Sequence, residues 1–179
     1  NHGNILGFTT KSFLPNYGEF YEMRQFRPGP KKAEKILFGG KEIPFGPQLL
    51  FVENQMANLI VSAEICEDVW SPVPPSIEAA REGATVIVNC SASDETIGKA
   101  SYREALISGQ SARLISGYIY AIAGEGESTT DLVFGGHNLI AENGTILAEA
   151  KRFSNGIIYT EFDLQKIANE RRKNTTLTE

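Results

Sequence analysis

An almost uninterrupted apolar run over residues 59–66 constrains the possible folds of this chain more than any other feature. Such a run predicts a strand that is buried on both faces of a sheet. The run ends at Cys66, and the prolines within residues 71–75 forbid a regular element soon afterwards. A cysteine at this point either fills the last core position of the strand or lies where sheet enzymes place reactive groups.

The two residues after Cys66 decide what a reactive thiol would need. Glu67 and Asp68 carry negative charge beside it and make an unassisted thiolate unfavourable. A working Cys66 therefore requires a cation from elsewhere in the fold. Lys11 is the first candidate, because it ends a predicted strand over residues 5–10, although most lysines are simply solvated.

The rest of the chain alternates between strand-like and helix-like patterns. Strands are predicted over residues 5–10, 49–53, 59–66, 85–90, 118–124, 138–142, 146–150 and 156–162, with a hairpin at Asn143-Gly144. Helices are predicted from an N-cap at Ser76 to about Gly83, over residues 99–116, and from a cap at Asp163 to about Arg172. Residues 28–41 are predicted to be an exposed excursion, and residues 19–26 place Phe20, Glu22, Arg24 and Phe26 on one face if extended. This order indicates an α/β fold with a mixed sheet, or stacked sheets, flanked by helices.

Composition excludes several classes of function. The 179 residues carry a net charge of -5, which argues against a nucleic-acid surface. The apolar runs are shorter than the ~20 residues of a membrane span. Two cysteines, Cys66 and Cys90, are too few for a disulfide framework and suit a reducing, cytoplasmic compartment.

Polar residues follow four of the predicted strands, namely Lys11, Cys66, Ser93 and Glu125. Clefts in sheets of this kind lie beyond the carboxyl ends of the strands. A thiolate, a lysine and a carboxylate brought together there could attack an amide carbonyl, stabilise the oxyanion and carry a proton to leaving ammonia. We expect Cys66 to be the reactive thiol and Cys90, at the end of an apolar run, to be inert.

Other kinds of site are less well supported. A Cys–His pair would need His2 or His137, and His137 stands in a Gly-rich turn where a hydrogen-bonded structural role is more common. Cys66 and Cys90 are separated by 24 positions without a CxxC or HxxxH grouping, so we predict no metal site. The Gly-rich segment at residues 124–126 lacks the helix and lysine of a phosphate-binding loop.

Two motifs together resemble those of the nitrilase (carbon–nitrogen hydrolase) superfamily. Residues 11–26 resemble its lysine motif and residues 64–75 resemble its cysteine motif. The run Cys66-Glu67-Asp68, residues 130–134 and the closing 170–172 are similar to the glutaminase domain of glutamine-dependent NAD+ synthetases. This resemblance covers nearly the whole chain. It implies a nitrilase-type α-β-β-α sandwich and a Glu–Lys–Cys triad that hydrolyses the side-chain amide of glutamine.

The resemblance also implies a role for each matching position. Cys66 would form a thioester, while Lys11 and the backbone N–H of Glu67 hold the oxyanion. Glu22 would orient Lys11. Glutamine itself would be contacted by Tyr17, Glu67 and Ser93.

Some expected parts lie outside the sequence. The resemblance places the general-base glutamate upstream of residue 1, so we expect residues 1–179 alone to turn over glutamine poorly. Residues 1–172 would be the C-terminal part of the glutaminase domain, and residues 173–179 the start of a linker. The expected partner is an NAD+ synthetase domain of the same full-length chain, with ATP and magnesium used only there and no cofactor in the glutaminase step. A homo-oligomer that binds neither membrane nor nucleic acid is also expected.

Two alternatives remain open at this point. One is a superfamily amidase that acts on another amide or on a nitrile. The other is a catalytically inert structural or docking piece, which would have a buried and unreactive Cys66.

Overall fold

A computed structural model describes residues 1–177, and this part of the chain forms nine β-strands and three α-helices. The strands are β1 (Phe8–Thr9), β2 (Glu34–Phe38), β3 (Lys41–Gly46), β4 (Phe51–Val52), β5 (Ile60–Ile65), β6 (Val86–Ser91), β7 (Gly117–Ile122), β8 (Leu139–Glu142) and β9 (Thr145–Glu149). The helices are α1 (Pro75–Arg81), α2 (Lys99–Leu114) and α3 (Leu164–Lys173). Two short 3₁₀ helices, Glu22–Arg24 and Cys66–Trp70, lie between strands.

Six strands form the main sheet, in the order β4-β5-β6-β7-β8-β9. Strands β5, β6 and β7 are parallel neighbours because α1 and α2 form the crossovers between them. The outer strands pair antiparallel, and β8 turns into β9 through the predicted Asn143-Gly144 turn, where both residues have positive φ. The three parallel strands therefore all end at one edge of the sheet.

One face of the main sheet carries the core, since α1 and α2 pack against it. The buried cluster there consists of Val69, Ala79, Ala80, Ala84, Ile87, Ile107, Leu114, Tyr118, Tyr120, Leu139 and Ala141. The other face is only partly covered, and its Cys90 is exposed. Burial on both faces, as predicted for β5 and β6, is therefore wrong. In β5 the polar Ser62 and Glu64 are the fully buried residues, and the apolar Ile60, Val61, Ala63 and Ile65 are half-buried.

A smaller sheet, in the order β1-β3-β2, precedes the main one. Part of it occupies residues 28–41, which the sequence analysis interprets as an exposed excursion. The segment is largely exposed, but it forms the antiparallel β2–β3 hairpin around Gly39 and Gly40, both with positive φ. A Gly-Gly pair is a known hairpin signal, and the weak apolar alternation around it concealed the strands.

Three other local predictions are wrong. Residues 156–162 run irregularly, with Ile157 and Tyr159 almost fully exposed, since the segment lacks a ladder partner within the described part of the chain. Residues 19–26 are not extended, because Glu22–Arg24 forms a 3₁₀ turn. Ser76 is not a helix N-cap: α1 begins at Pro75, and the Ser76 N–H donates to the Glu64 carboxylate at 2.9 Å.

Predictions that rest on strong local patterns are confirmed. Helix α2 spans nearly all of its predicted range, and the Asp163 side chain caps α3 by accepting the Lys166 N–H at 2.8 Å. The domain boundary after residue 172 stays a prediction, since α3 continues through Lys173, and residues 178–179 of the predicted linker lie outside the described residues. Of the helices in residues 1–177, each is too short or too polar to cross a bilayer.

Arg171 on α3 joins this helix to the ends of α1 and α2. Its guanidinium donates to the carbonyl oxygens of Ala84 at 2.6 Å, Ile115 at 2.8 Å and Leu114 at 2.9 Å, with Ala80 at 3.5 Å. These carbonyls end α1 and α2, where the helix dipoles place partial negative charge. Burial lowers the pKa of Arg171 to about 10, so the side chain still carries its charge at neutral pH.

We expect Arg171→Met to reduce the free energy of unfolding by about 2–4 kcal/mol, because several buried carbonyls lose a charged donor. The matched control is Arg172→Met: the neighbouring arginine is exposed, and among the described residues its side chain bonds to Ala168 and Asn169 of its own helix, so its loss should cost about 0.5 kcal/mol or less. Chemical denaturation followed by circular dichroism measures both values. Equal losses would contradict the role assigned to Arg171.

Candidate active site

Several of the predicted site residues lie at the same edge of the main sheet. Cys66, Ser93 and Glu125 follow β5, β6 and β7, whose carboxyl ends share one edge of the main sheet. Lys11 reaches the same region from the smaller sheet, two residues after β1. Glu125 is exposed and accepts a hydrogen bond from Asn155, and it belongs to the rim of this region.

Cys66 begins the Cys66–Trp70 3₁₀ helix in a left-handed backbone conformation, with φ of 50°. Its residue exposure is 8%, and its backbone N–H donates to Asn89 Oδ1 at 3.1 Å. A non-glycine residue with positive φ is strained, and such strain persists where the surroundings enforce it. Asn89, on the adjacent strand β6, is part of that enforcement, because its amide nitrogen in turn donates to the Tyr118 hydroxyl at 3.4 Å.

Asp68 ties the cysteine loop to the lysine loop. Its Oδ1 accepts the backbone N–H groups of Ser12 and Phe13, each at 2.9 Å, and its Oδ2 accepts the N–H of Ile65 at 2.9 Å. The side chain is fully buried. Burial raises the pKa of Asp68, and the three backbone donors and the positive charge of Lys11 oppose that rise.

Lys11 and Glu22 form the ion pair that a lysine-orienting glutamate requires. The Lys11 ammonium lies 2.5 Å from Glu22 Oε2, and the two side chains are 13% and 30% exposed. The carbonyl of Lys11 accepts the N–H of Gly29 at 2.8 Å, which fixes the loop from its other side. The Lys11 side chain is therefore fixed by its ion pair and largely buried, rather than freely solvated.

Tyr17 and Glu67 also meet. The Tyr17 hydroxyl donates to Glu67 Oε1 at 2.7 Å, across 50 positions of sequence. Partial burial and the hydrogen bond to the Glu67 carboxylate raise the pKa of Tyr17, so its hydroxyl stays protonated and keeps donating. The pair fixes the direction of the Glu67 carboxylate beside Cys66.

Ser93 is buried at the end of β6, and its hydroxyl lacks a hydrogen-bond partner among residues 1–177. A buried hydroxyl without a partner is costly unless a ligand or water satisfies it. The residues after Ser93 are fixed by ion pairs of Asp94 with Lys99 and of Glu95 with Arg103. Ser93 thus stands on a rigid loop with unused hydrogen-bonding capacity.

Two cavities flank the Lys11–Glu22 pair. One of about 530 Å³ is lined by Lys11, Glu22 and Ile65, among others. The other, of about 350 Å³, lies between the loop that carries Glu22, Ala92 near the end of β6, and residues 129–134. Both volumes are within the range of small-molecule sites.

A second cluster of polar residues lies away from this region. Single oxygen or nitrogen atoms of Glu104, His137 and Glu149 lie within 4.8 Å of one another, a grouping that sequence spacing did not reveal. His137 Nδ1 lies 2.9 Å from Arg103 Nη1, and because arginine only donates, Nδ1 accepts. Nε2 therefore carries the ring proton and donates to Glu149 at 2.7 Å. This tautomer opposes a metal at Nε2 and confirms His137 as a hydrogen-bonded structural residue.

Asp68 and Asn89 belong to this region although the sequence alone does not single them out. The sequence shows Asp68 only as a charge unfavourable to the thiolate, whereas its carboxylate accepts hydrogen bonds from backbone N–H groups. Asn89 was hidden within an apolar strand pattern. A polar side chain in the middle of a buried strand, next to the strand that ends in Cys66, was the one available signal for it.

Comparison with known proteins now identifies the family. The family model for carbon-nitrogen hydrolases matches residues 1–172. The chain belongs to the carbon-nitrogen hydrolase family. The predicted enzyme class is thereby confirmed, and so is the predicted α/β fold, which is a partial nitrilase-type fold.

Relatives of this hydrolase chain include the glutamine-dependent NAD(+) synthetases of two mycobacteria. The chain is 46% identical to that of Mycobacterium tuberculosis strain H37Rv over 173 residues, which cover 96% of this chain and 26% of the relative. It is 50% identical to that of Mycobacterium leprae over 156 residues, covering 87% and 23%. The chain thus spans about a quarter of the length of these curated relatives.

Solved structures of proteins with these names have a similar fold. The glutamine-dependent NAD(+) synthetase from Cytophaga hutchinsonii matches with a TM-score of 0.71 and 32% identity, over 83% of this chain and 23% of that one. A carbon-nitrogen hydrolase from Helicobacter pylori matches with a TM-score of 0.64 over 91% of this chain and 54% of that one. Its 21% identity bears on the fold alone.

The geometry predicts a selective effect of Lys11 on one of the two cysteines. In a protein that carries the complete domain, Lys11→Met should slow iodoacetamide alkylation of Cys66 about tenfold, because a thiolate loses a nearby positive charge. Cys90, expected from the sequence to be inert, is exposed on the other face of the sheet, so it can be alkylated and serves as the internal control, with a rate that Lys11→Met leaves unchanged. Peptide mass mapping over time gives both rates. If the two cysteines respond equally, Lys11 is not a charge partner of Cys66.

Proposed function

We propose that this chain carries the cysteine and lysine of a glutamine amidohydrolase, which releases ammonia for NAD+ synthesis. The observation that carries the proposal is that Asp68 binds the backbone directly after Lys11, which is paired with Glu22, and the backbone directly before the strained Cys66. The relatives named as glutamine-dependent NAD(+) synthetases supply the substrate class.

In the first step, Cys66 Sγ attacks the carbonyl carbon of the glutamine side chain. A C–S bond forms, and the carbonyl oxygen takes up negative charge, which the Lys11 ammonium and the Glu67 backbone N–H stabilise. The C–N bond then breaks, and the nitrogen leaves as ammonia after it receives the proton that the thiol gave up. A carboxylate must carry that proton, and the family resemblance places it upstream of Asn1.

In the second step, a water molecule attacks the thioester, and the same carboxylate takes one of its protons. The C–S bond breaks, glutamate leaves, and the thiol is restored. Glu22 does not carry protons in this scheme. Its bond to Lys11 at 2.5 Å suits an orienting residue, which keeps the ammonium directed at the oxyanion.

Three residues are proposed to contact the amino-acid part of glutamine. The Glu67 carboxylate has the charge that recognises an α-ammonium group, and the Tyr17 hydroxyl fixes its orientation. The buried Ser93 hydroxyl offers a further hydrogen bond. These contacts favour glutamine over a simple amide or nitrile, neither of which has an α-ammonium.

The remaining parts of the proposal concern the protein around this site. We place an NAD+ synthetase domain on the same full-length chain as the consumer of ammonia, with ATP and magnesium used in that domain. The glutaminase step itself uses no cofactor. Cytoplasmic location and homo-oligomerisation stay predictions.

Lys11→Met should lower kcat for glutamine hydrolysis about 10²–10³-fold, because the oxyanion loses its charged donor. Lys11→Arg should fail as well, since a guanidinium does not replace a compact ammonium in a packed site. The control is Lys31→Met, at an exposed lysine, with less than a twofold change. Ammonia release in a protein with the complete domain measures kcat. Small and equal effects of Lys11→Met and Lys31→Met would refute the proposed mechanism.

Glu67→Gln should raise KM for glutamine about 10–100-fold, as expected for loss of a hydrogen bond between charged groups, with a smaller change in kcat. For a simple amide such as propionamide, KM should stay within about twofold, because that substrate has no α-ammonium. Comparing both substrates separates a glutaminase from a general amidase. A wild-type protein that prefers propionamide, or a variant that loses both substrates equally, would contradict the assignment.

A further inference from the structure

We propose that Asp68 is a positioning residue, which sets the place of Lys11 relative to Cys66 and through it the reactivity of the thiol. This inference rests on the proposed function, and it adds a residue that acts through another rather than on the substrate. Asp68 is fully buried and stands two positions after Cys66.

The carboxylate divides its two oxygens between the two loops. Oδ1 accepts the N–H groups of Ser12 and Phe13, the two residues directly after Lys11, both at 2.9 Å. Oδ2 accepts the N–H of Ile65, the residue directly before Cys66, also at 2.9 Å. One rigid group of three atoms thus spans the backbone beside the lysine and the backbone beside the cysteine. Any displacement of this carboxylate changes the separation of the two reacting groups.

A carboxylate can accept backbone hydrogen bonds on both of its oxygens, and an amide of the same shape cannot. Asparagine has one oxygen and one NH₂ group, and the NH₂ only donates. If the oxygen of an asparagine side chain at this position served Ser12 and Phe13, its NH₂ would face the N–H of Ile65, donor against donor. If the oxygen served Ile65, the lysine loop would lose both bonds. Asp68→Asn therefore removes the hydrogen bonds to one of the two loops while keeping the size of the side chain.

Glu142 provides a comparison outside this region. It is a buried carboxylate that also accepts a backbone hydrogen bond, from the Asp163 N–H at 2.8 Å, and it pairs with Lys166. Glu142 lies opposite Gly117, the first residue of β7, so it stands at the edge of the main sheet opposite to the one that carries Cys66. Glu142→Gln should therefore lower thermal stability, as Asp68→Asn does, without a selective effect on the cysteine.

The experiment measures glutamine hydrolysis and iodoacetamide alkylation of Cys66 in a protein that carries the complete domain. Asp68→Asn should lower kcat about 10²-fold with little change in KM, because a displacement of about 1 Å in a reacting group costs on that order. It should also slow Cys66 alkylation, but not Cys90 alkylation, about as much as Lys11→Met does. Glu142→Gln should leave kcat and both alkylation rates within about twofold.

A double variant tests whether Asp68 acts through Lys11. In a Lys11→Met background, Asp68→Asn should cause little further loss of kcat or of Cys66 alkylation, since the group that it positions is gone. The same fold loss in both backgrounds would overturn the inference, and so would equal effects of Asp68→Asn and Glu142→Gln.

A second variant keeps the test decisive if Asp68→Asn does not fold. Phe13→Pro removes one N–H donor from an exposed loop position and leaves the Asp68 carboxylate in place. Phe13→Ala is its control, because it removes the side chain and keeps the donor. Phe13→Pro should slow Cys66 alkylation at least fivefold more than Phe13→Ala does, and equal rates would refute the inference.

The outcomes also separate this inference from the proposed function. A wild-type protein that does not hydrolyse glutamine would refute the function. The alkylation rates need no substrate, so they would still support or overturn the role of Asp68.

Discussion

The site depends on one buried carboxylate that accepts three backbone hydrogen bonds. Asp68 joins the strand end that carries Cys66 to the loop that carries Lys11, and these belong to different sheets. Because β1 is only two residues long, the loop after it is held by the bond of the Gly29 N–H to the Lys11 carbonyl and by the bonds to Asp68, and the Asp68 bonds connect it to the main sheet. These bonds lie directly beside Lys11 and Cys66, so the separation of the two residues does not rely on the precision of distant packing.

Hydrogen bonds at helix ends hold the helices that pack on one face of the main sheet. The buried Glu64 carboxyl group accepts the second N–H of α1, and Arg171 donates to carbonyls at and just beyond the ends of α1 and α2. Burial raises the pKa of Glu64, whereas Arg171 places a positive charge at two helix C-termini, which matches the direction of the helix dipoles. The two helices pack on β5 to β7, and these bonds therefore help to fix the strands whose ends carry Cys66 and Ser93.

Sequence reasoning succeeded where the signal was local and failed where a partner strand or a distant donor decided the outcome. The range of α2, the Asn143-Gly144 hairpin and the Asp163 cap follow from short-range chemistry, and each was predicted. Residues 156–162 have the apolar content of a strand, but a strand also needs a neighbour, which sequence pattern does not show.

For the site, the resemblance to known motifs paired Lys11 with Glu22, and the structure brings these two together. It also named Tyr17 and Glu67, which the structure likewise places in contact. Asp68 and Asn89 escaped prediction because their role is to bind backbone groups from other segments. A backbone N–H looks the same at every position of a sequence, so only the fold reveals which ones need an acceptor.

The left-handed backbone at Cys66 sets the proposed role of the thiol against stability at a single position. Glycine adopts this conformation without steric cost, whereas a side chain with a Cβ atom does not. A chain under pressure for stability alone would gain by replacing Cys66 with glycine, and in doing so it would lose its thiol. The protein therefore retains a strained residue where a relaxed one is available, and the surrounding hydrogen bonds to Asn89 and Asp68 compensate for that strain.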